Sequence, residues 1–119
     1  MKKLYYTLFI LSSLIIGTAA IAVSESVGTV IGEVEEVSDF GWGGTSGVSG
    51  VIVWNQDKEE GTVTDWGGEF TYETEMTTLF YETVLLFYKE GYNSFDRPVS
   101  INANATLDLG ILIITEISE

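Results

Sequence analysis

Residues 61–73 carry the clearest local pattern of the chain, GTVTDWGGEFTYE. Polar side chains alternate with Val63 in the first half, and with Phe70 and Tyr72 in the second half. Successive side chains of a β-strand point to opposite faces, so the pattern predicts two strands that each have one wet and one dry face. Residues 65–68 between them are DWGG, a turn in which glycine permits positive φ angles. The stretch therefore predicts a β-hairpin.

Short runs of β-branched and aromatic residues lie on both sides of this hairpin and predict further strands. They cover about residues 29–37, 51–54, 79–88, 95–101 and 107–117. The segments at 51–54 and 84–88 show no alternation, which is typical of strands buried on both faces. Helical periodicity is hard to find beyond residue 22, so the sequence predicts an all-β domain.

The first of these strands has a mixed pattern. Val30 and Val34 share one face and Glu33 takes the other, whereas Val37 breaks the alternation. That break predicts a β-bulge near residues 35–36. The glycine-rich stretch that follows, residues 38–50, is predicted to be a loop.

Residues 1–22 have the layout of a secretory signal peptide. A lysine pair supplies the positive end, residues 4–16 form an uncharged apolar run, and Ala20 and Ala22 are the small residues of a cleavage site. We predict a signal helix that is cut after Ala22 and a mature domain of residues 23–119. The alternative is an uncleaved anchor, since about 20 apolar residues span a bilayer. Either way, the domain is predicted to be secreted, periplasmic or on the cell surface, and not itself embedded in a membrane.

The charge of the mature domain is strongly one-sided. Lys58, Lys89 and Arg97 are its basic residues, whereas it holds all 18 acidic residues of the chain. Nucleic-acid binding needs a basic surface, so the charge excludes nucleic acid and disfavours anionic membranes. Cations, basic proteins and neutral ligands such as sugars fit, and solubility is a sufficient alternative reason for the charge. The chain has no cysteine, so the domain must fold by its core alone.

Five segments carry a family pattern in chain order. They are IGEV (31–34), SGVIV (49–53), GTVTDWGGEF (61–70), LFY followed by Gly91-Tyr92 (86–92) and LDLGIL (107–112). Together they resemble the carboxypeptidase regulatory-like domains. The resemblance implies a transthyretin-like Greek-key β-sandwich of about seven strands, and it implies a regulatory domain without peptidase activity.

The composition excludes most catalytic chemistry. The chain contains neither histidine nor cysteine, which removes Ser-His-Asp and Cys-His catalysis and the usual zinc sites. Paired carboxylates, as in glycosidases, remain. However, most acids fall in turns or on predicted wet faces, as Glu33, Glu35, Glu69 and Glu73 do. We therefore expect no enzymatic activity and, apart from calcium, no cofactor.

Calcium is the one ion that the acidic turns favour, because it binds clustered oxygen ligands in loops. Asp57, Glu59 and Glu60 lie in one charged turn, and Asp65 joins them if both turns lie at the same end of the sandwich. The alternative is a solvated turn, with Asp65 capping its own turn by binding nearby backbone amides.

Trp66 and Trp42 are the candidate binding residues, one at the hairpin tip and one in the glycine-rich loop. An exposed loop tryptophan can stack on a sugar ring or anchor a protein contact. The alternative is that each indole folds back over the end of the sandwich. Trp54, in contrast, lies in an apolar strand and is predicted to belong to the core.

These patterns predict a non-catalytic exported module that mediates protein or surface interactions. Its partner is an unidentified protein or glycan of the cell envelope, contacted through Trp42 and Trp66 or through a free sheet edge. The alternative function is that of a carbohydrate-binding module in which the same tryptophans stack on sugar rings.

Overall fold

The computed structural model describes residues 26–37 and 44–118, and these residues form eight β-strands. The strands are β1 Ser26–Val37, β2 Thr45–Gly47, β3 Ile52–Asn55, β4 Glu60–Val63, β5 Glu69–Met76, β6 Phe80–Tyr88, β7 Phe95–Asn102 and β8 Thr106–Ile113. The predicted all-β class is confirmed, and the predicted loop at 38–50 contains the short strand β2. The described residues include no helix that could cross a membrane. The predicted signal helix at 1–22 lies outside them.

The strands form two four-stranded sheets, named sheet A and sheet B here. In sheet A, β5 and then β2 pair antiparallel along one edge of β1, while β8 pairs parallel along its other edge. Sheet B is antiparallel throughout, with the strand order β4-β3-β6-β7. The central strand of sheet A is therefore β1, and the central strands of sheet B are β3 and β6.

The hydrophobic core lies between the two sheets. Its side chains come from both of them, among them Val30, Val34, Phe70 and Tyr72 from sheet A, and Val53, Leu85, Phe87, Val99 and Ile101 from sheet B. The rings of Phe70 and Phe87 meet edge to face across the core, with centroids 5.6 Å apart. Burying one such side chain contributes about 1.5–3 kcal/mol, which explains how the domain is held together without a disulfide.

The prediction for β5 is confirmed in its alternation and wrong in its pairing. Phe70 and Tyr72 point into the core, whereas Glu69, Thr71 and Glu73 are exposed. However, β5 pairs with β1 in sheet A, while β4 pairs with β3 in sheet B. The predicted hairpin is therefore a corner that carries the chain from one sheet to the other.

At the end of β4 the apolar residue points outward and the polar residue points inward, opposite to the predicted pattern. Val63 is exposed and Thr64 is buried. The buried hydroxyl of Thr64 donates to the Val48 carbonyl at 2.7 Å and accepts from the Val51 amide at 2.9 Å. A threonine with both bonds satisfied can be buried, because its hydroxyl is not left unpaired.

In β1 the two valines are fully buried, as predicted, but the bulge lies elsewhere. The pairing of β1 with β8 shifts between Ile31 and Glu33, where β8 contains one extra residue. Gly110 in that segment has φ +74°, and its amide donates to Asp108 Oδ1 at 2.8 Å. The predicted bulge near residues 35–36 is wrong, because β1 pairs with β2 without a register shift from Glu35 to Val37.

The apolar segment of β6 is buried on one face only, contrary to the prediction. Leu85 and Phe87 are fully buried, whereas Val84, Leu86 and Tyr88 are 37–47% exposed. The reason is architectural, since a stack of two sheets covers only one face of each, and burial on both faces needs a third layer.

The same correction applies to β3. Val53 and Asn55 are fully buried, Ile52 is exposed, and Trp54 is half-buried. Trp54 is therefore not a core residue: its indole lies on the outer side of sheet B over Gly61, where an added Cβ would come within 2.9 Å of the ring. Sheet B thus has an apolar outer side.

Candidate functional site

Trp66 lies at the tip of the corner between β4 and β5, and the residue is 92% exposed. Asp65 organises this turn, because its Oδ1 accepts the Gly67 amide at 3.0 Å and the Glu69 amide at 2.9 Å. The Gly68 amide also donates to the Asp65 carbonyl at 2.9 Å. The prediction that Asp65 caps its own turn is confirmed, and the indole points into solvent instead of covering the end of the sandwich.

The turn that carries Trp66 is tied to sheet A at its base. The Val34 amide donates to the Gly68 carbonyl at 2.7 Å. Gly68 has φ +83°, an angle that residues other than glycine rarely adopt. A Cβ atom at this position would come within 2.3 Å of the Val34 carbonyl oxygen. Gly47 of β2 approaches the turn equally closely, since its Cβ would lie 2.0 Å from the Gly67 carbonyl oxygen. The base of the turn is therefore fixed, which lowers the entropy lost when the tip binds a partner.

Trp42, the second candidate binding residue, lies outside the described residues 26–37 and 44–118, and its role stays a prediction.

The four acidic residues predicted as calcium ligands separate into two places. Asp57, Glu59 and Glu60 lie at the start of β4, whereas Asp65 lies beyond its far end. The structure therefore does not bring Asp65 to the other three. Within the described part of the chain, no three acidic side chains are grouped so that they could hold a metal ion.

The first of these places is built on a buried amide that the sequence analysis did not single out, Asn55. Its Nδ2 donates to the hydroxyls of Tyr72 at 2.8 Å and Tyr81 at 3.2 Å. Its Oδ1 accepts the Thr83 hydroxyl at 2.9 Å and the Asp57 amide at 3.1 Å. All four hydrogen-bonding positions of the amide are thus used.

The two tyrosines in turn donate to the acidic residues of the turn. Tyr72 donates to Glu60 Oε2 at 2.7 Å, and Tyr81 donates to Asp57. Burial, and then the bond to the carboxylate, raise the pKa of both phenols above their ordinary value. Phenols in this state donate hydrogen bonds and do not act as bases near neutral pH. The cluster therefore serves to fix the turn, and no local pattern in the sequence signals it, because the contacts of Asn55 with other side chains join residues 17 to 28 positions apart.

The outer side of sheet A, which we call the acidic face, carries acidic side chains together with the exposed apolar residues Val27, Val37, Ile111 and Ile113. The register places six acidic residues there: Glu33, Glu35, Glu69, Glu73, Glu75 and Asp108. The described strands of sheet A contain no lysine or arginine. Three of the acids, Glu33, Glu69 and Asp108, line a groove of about 370 Å³ that passes over Phe70. Such a surface attracts cationic groups and repels anionic ones.

Two neighbouring carboxyls on the acidic face influence each other. A hydrogen bond between them raises the pKa of Glu33 and lowers the pKa of Glu35. Thr45 also donates to Glu35, which further lowers its pKa. Glu33 faces Glu69 across the pair of strands, and this like charge adds to the rise in its pKa.

Apolar side chains dominate the outer side of sheet B, which we call the apolar face. Its members are Ile52, Trp54, Val63, Phe80, Val84, Leu86, Tyr88 and Pro98. In the described strands of sheet B, the register places two charged residues, Glu82 and Asp96, on the same side. The prediction of doubly buried strands missed this surface, because its residues were assigned to the interior.

No protein-family model matches the chain, and no curated protein is significantly similar to it. The resemblance to carboxypeptidase regulatory-like domains therefore stays a prediction.

Proposed function

We propose that the chain is a non-catalytic exported module that binds a protein partner at the cell envelope through Trp66. The observation that carries the proposal is a tryptophan that is 92% exposed at the tip of a turn whose base is fixed. A large apolar side chain gains about 1.5–3 kcal/mol when it leaves water, and a bound partner supplies that burial. Tryptophan in such a position is the residue type most enriched among those that dominate binding energy.

The family resemblance supports a regulatory or binding role and a transthyretin-like Greek-key arrangement. The connections are in keeping with this proposal: the β3–β4 and β6–β7 hairpins share sheet B, while β5, which lies between them in the chain, belongs to sheet A. Connections that cross between two sheets are characteristic of Greek-key sandwiches.

The carboxylates of the two turns support a structural role there, and not a catalytic one. Asp57 and Glu60 accept hydrogen bonds from tyrosines, and Asp65 binds two backbone amides. Each of these groups is already used in fixing a turn. The chain also has no histidine to act as a general base near neutral pH.

A pair of matched variants tests the role of Trp66. Trp66→Ala and Leu79→Ala each remove an exposed apolar side chain from a turn, and the two turns lie at opposite ends of β5. We expect Trp66→Ala to lower the recovery of partners from envelope extract at least about tenfold, as loss of a hot spot does. Leu79→Ala should recover the same partners as the unchanged domain. Equal recovery by both variants, with circular dichroism showing both folded, contradicts the proposal.

A carbohydrate ligand is the second candidate, because an exposed indole on a fixed turn is also a platform for a sugar ring. Affinity electrophoresis in gels that contain polysaccharide separates the two functions. Retardation that Trp66→Ala abolishes supports the glycan, and migration unchanged in every polysaccharide supports the protein partner.

Calcium binding stays a proposal from the sequence alone, because the described residues group no three acids for a metal ion and Asp65 lies apart from Asp57, Glu59 and Glu60. An ion that binds only the folded domain raises the melting temperature, so a thermal melt with and without calcium tests it.

A further inference from the structure

The apolar face is continuous across all four strands of sheet B. In the pairing register, Ile52 lies between Val63 and Tyr88, and Trp54 lies beside Leu86. Next along β6, Val84 lies opposite Pro98. A shallow groove of about 470 Å³ runs between β6 and β7 at this point. The centre of the face is therefore indented, and Glu82 and Ser100 line the groove beside Val84 and Pro98.

The side chains of the apolar face are more exposed than those of core residues, and they are more apolar than the side chains of an ordinary protein surface. Ile52, Val63, Phe80, Val84, Leu86 and Tyr88 are 37–56% exposed. The strands are about 4.8 Å apart and rise about 3.3 Å per residue, which gives the face an area on the order of 500 Å² in projection. That area includes Glu82 and Asp96, and apolar patches of about 300–600 Å² on a soluble protein are often functional.

The distribution of charge indicates which partner fits. The formal net charge of the chain is −13, so two copies repel each other over most of their surface. The acidic face lies on the far side of the sandwich from the apolar face. When two apolar faces meet, the acidic faces become the outermost layers of a four-sheet stack, about 30 Å apart at about 10 Å per layer. That separation is several times the Debye length of about 8 Å at physiological salt, so their repulsion is screened.

Shape supports the same arrangement. Two sheets of the same twist pack with their strands about 30° apart, which makes a twisted sheet face complementary to a second copy of itself. The face, at about 500 Å² in projection, is smaller than the roughly 800 Å² per partner of a standard interface, as is common in weak or transient contacts. The groove beside Val84 and Pro98 gives the partner's apolar side chains a place to insert.

We propose that the apolar face of sheet B is the contact between two copies of this chain, packed face to face about a two-fold axis. The contact is separate from the site at Trp66, which projects from the corner at the end of the sandwich. A pull-down with Trp66→Ala and a measurement of oligomeric state can therefore fail independently.

Sedimentation equilibrium tests the proposal. The full chain is produced in a host that exports it, and its intact mass shows which form of the chain is being measured. We expect an average mass that approaches twice the intact mass as the protein concentration rises. Dimerisation should strengthen between about 0.05 and 0.5 M NaCl, because salt screens the repulsion between acidic copies. A contact with a basic partner would weaken over the same range. If the chain remains a monomer up to about 1 mM protein at the higher salt concentration, the proposal is overturned.

Two variants that add the same charge to opposite sides locate the contact. Val84→Glu places a carboxylate at the centre of the apolar face, and Thr71→Glu adds one to the acidic face. We expect Val84→Glu to raise the dimer dissociation constant at least about 100-fold, since an unpaired buried charge is costly. Thr71→Glu should dimerise as the unchanged chain does, within a few-fold. The same dissociation constant for the two variants contradicts the face-to-face contact.

A cross-linking measurement keeps the test valid if Val84→Glu fails to fold. The chain has no cysteine, so Val84→Cys introduces a single thiol. Near a two-fold axis the thiols of two copies lie close together, and mild oxidation should give a disulfide-linked dimer. Thr71→Cys should remain mostly monomeric under the same conditions. Equal cross-linking of the two variants, or none of Val84→Cys, argues against the proposal.

Discussion

The two sheets differ in the residues that alternate with their core residues along the strand and point outward. In β5 the outward positions hold Glu69, Thr71 and Glu73, whereas in β6 they hold Val84, Leu86 and Tyr88. The inward positions hold Phe70 and Tyr72 in β5 and Leu85 and Phe87 in β6, and all four are buried. The comparison teaches that burial of one side of a strand does not dictate the polarity of the other. Water suffices to explain the outward residues of β5, and the outward residues of β6 are the basis of the proposed contact between two copies.

The largest test of this comparison contrasts two neighbours in β6. Phe87→Ala removes a fully buried ring from the core, and we expect it to lower the free energy of unfolding by about 3–5 kcal/mol. Leu86→Ala removes a side chain from the apolar face, and we expect a loss of under about 1 kcal/mol in dilute protein. Urea denaturation measures both. Similar losses for the two substitutions would mean that the outward residue is also part of a core.

A smaller test concerns the coupled carboxyls of the acidic face. The pKa of Glu33 is raised in the folded chain, so its contribution to stability is present at low pH and is lost as the pH rises through that pKa. Glu33→Gln cannot ionise, and its amide can still donate to Glu35. We therefore expect this variant to melt above the unchanged chain by a margin that grows as the pH rises from about 3 to 7.

Glu35→Gln provides the control of opposite sign. The pKa of Glu35 is lowered, so its contribution is present above the ordinary glutamate pKa and is lost as the pH falls through the folded value. The variant should melt below the unchanged chain at neutral pH and approach it in acid. Melting curves that shift in the same direction for both variants would contradict the coupling.

The sequence allowed the all-β class and the inward residues of β5 to be predicted, because polar and apolar residues alternate strictly there. It did not allow the partner of β5 to be predicted, since a turn such as DWGG serves equally between paired strands and between sheets. It also placed Val84 and Leu86 inside, because periodicity shows which positions are apolar and not which are covered. The cluster around Asn55 depends on contacts between residues far apart in the chain, which no local pattern contains.

At the candidate site, too, contacts within one turn could be predicted from the sequence and the placement of side chains could not. The cap formed by Asp65 was predictable, because its side chain and the amides that it binds lie within four residues of each other. The exposure of Trp66 was not, since a turn can direct an indole outward or back over the sheets. The separation of Asp65 from Asp57 follows from the course of β4 between the two turns.

Thiol labelling of two adjacent positions in β6 tests the central contrast most directly. Leu85→Cys and Leu86→Cys each place a single cysteine in a chain that otherwise has none. In dilute protein, Leu86→Cys should react at nearly the rate of a free thiol, and Leu85→Cys only at the rate at which the domain opens. At concentrations where two copies associate, Leu86→Cys should become protected as well. Equal labelling rates in dilute protein, or faster labelling of Leu85→Cys, would contradict the assignment of the two faces.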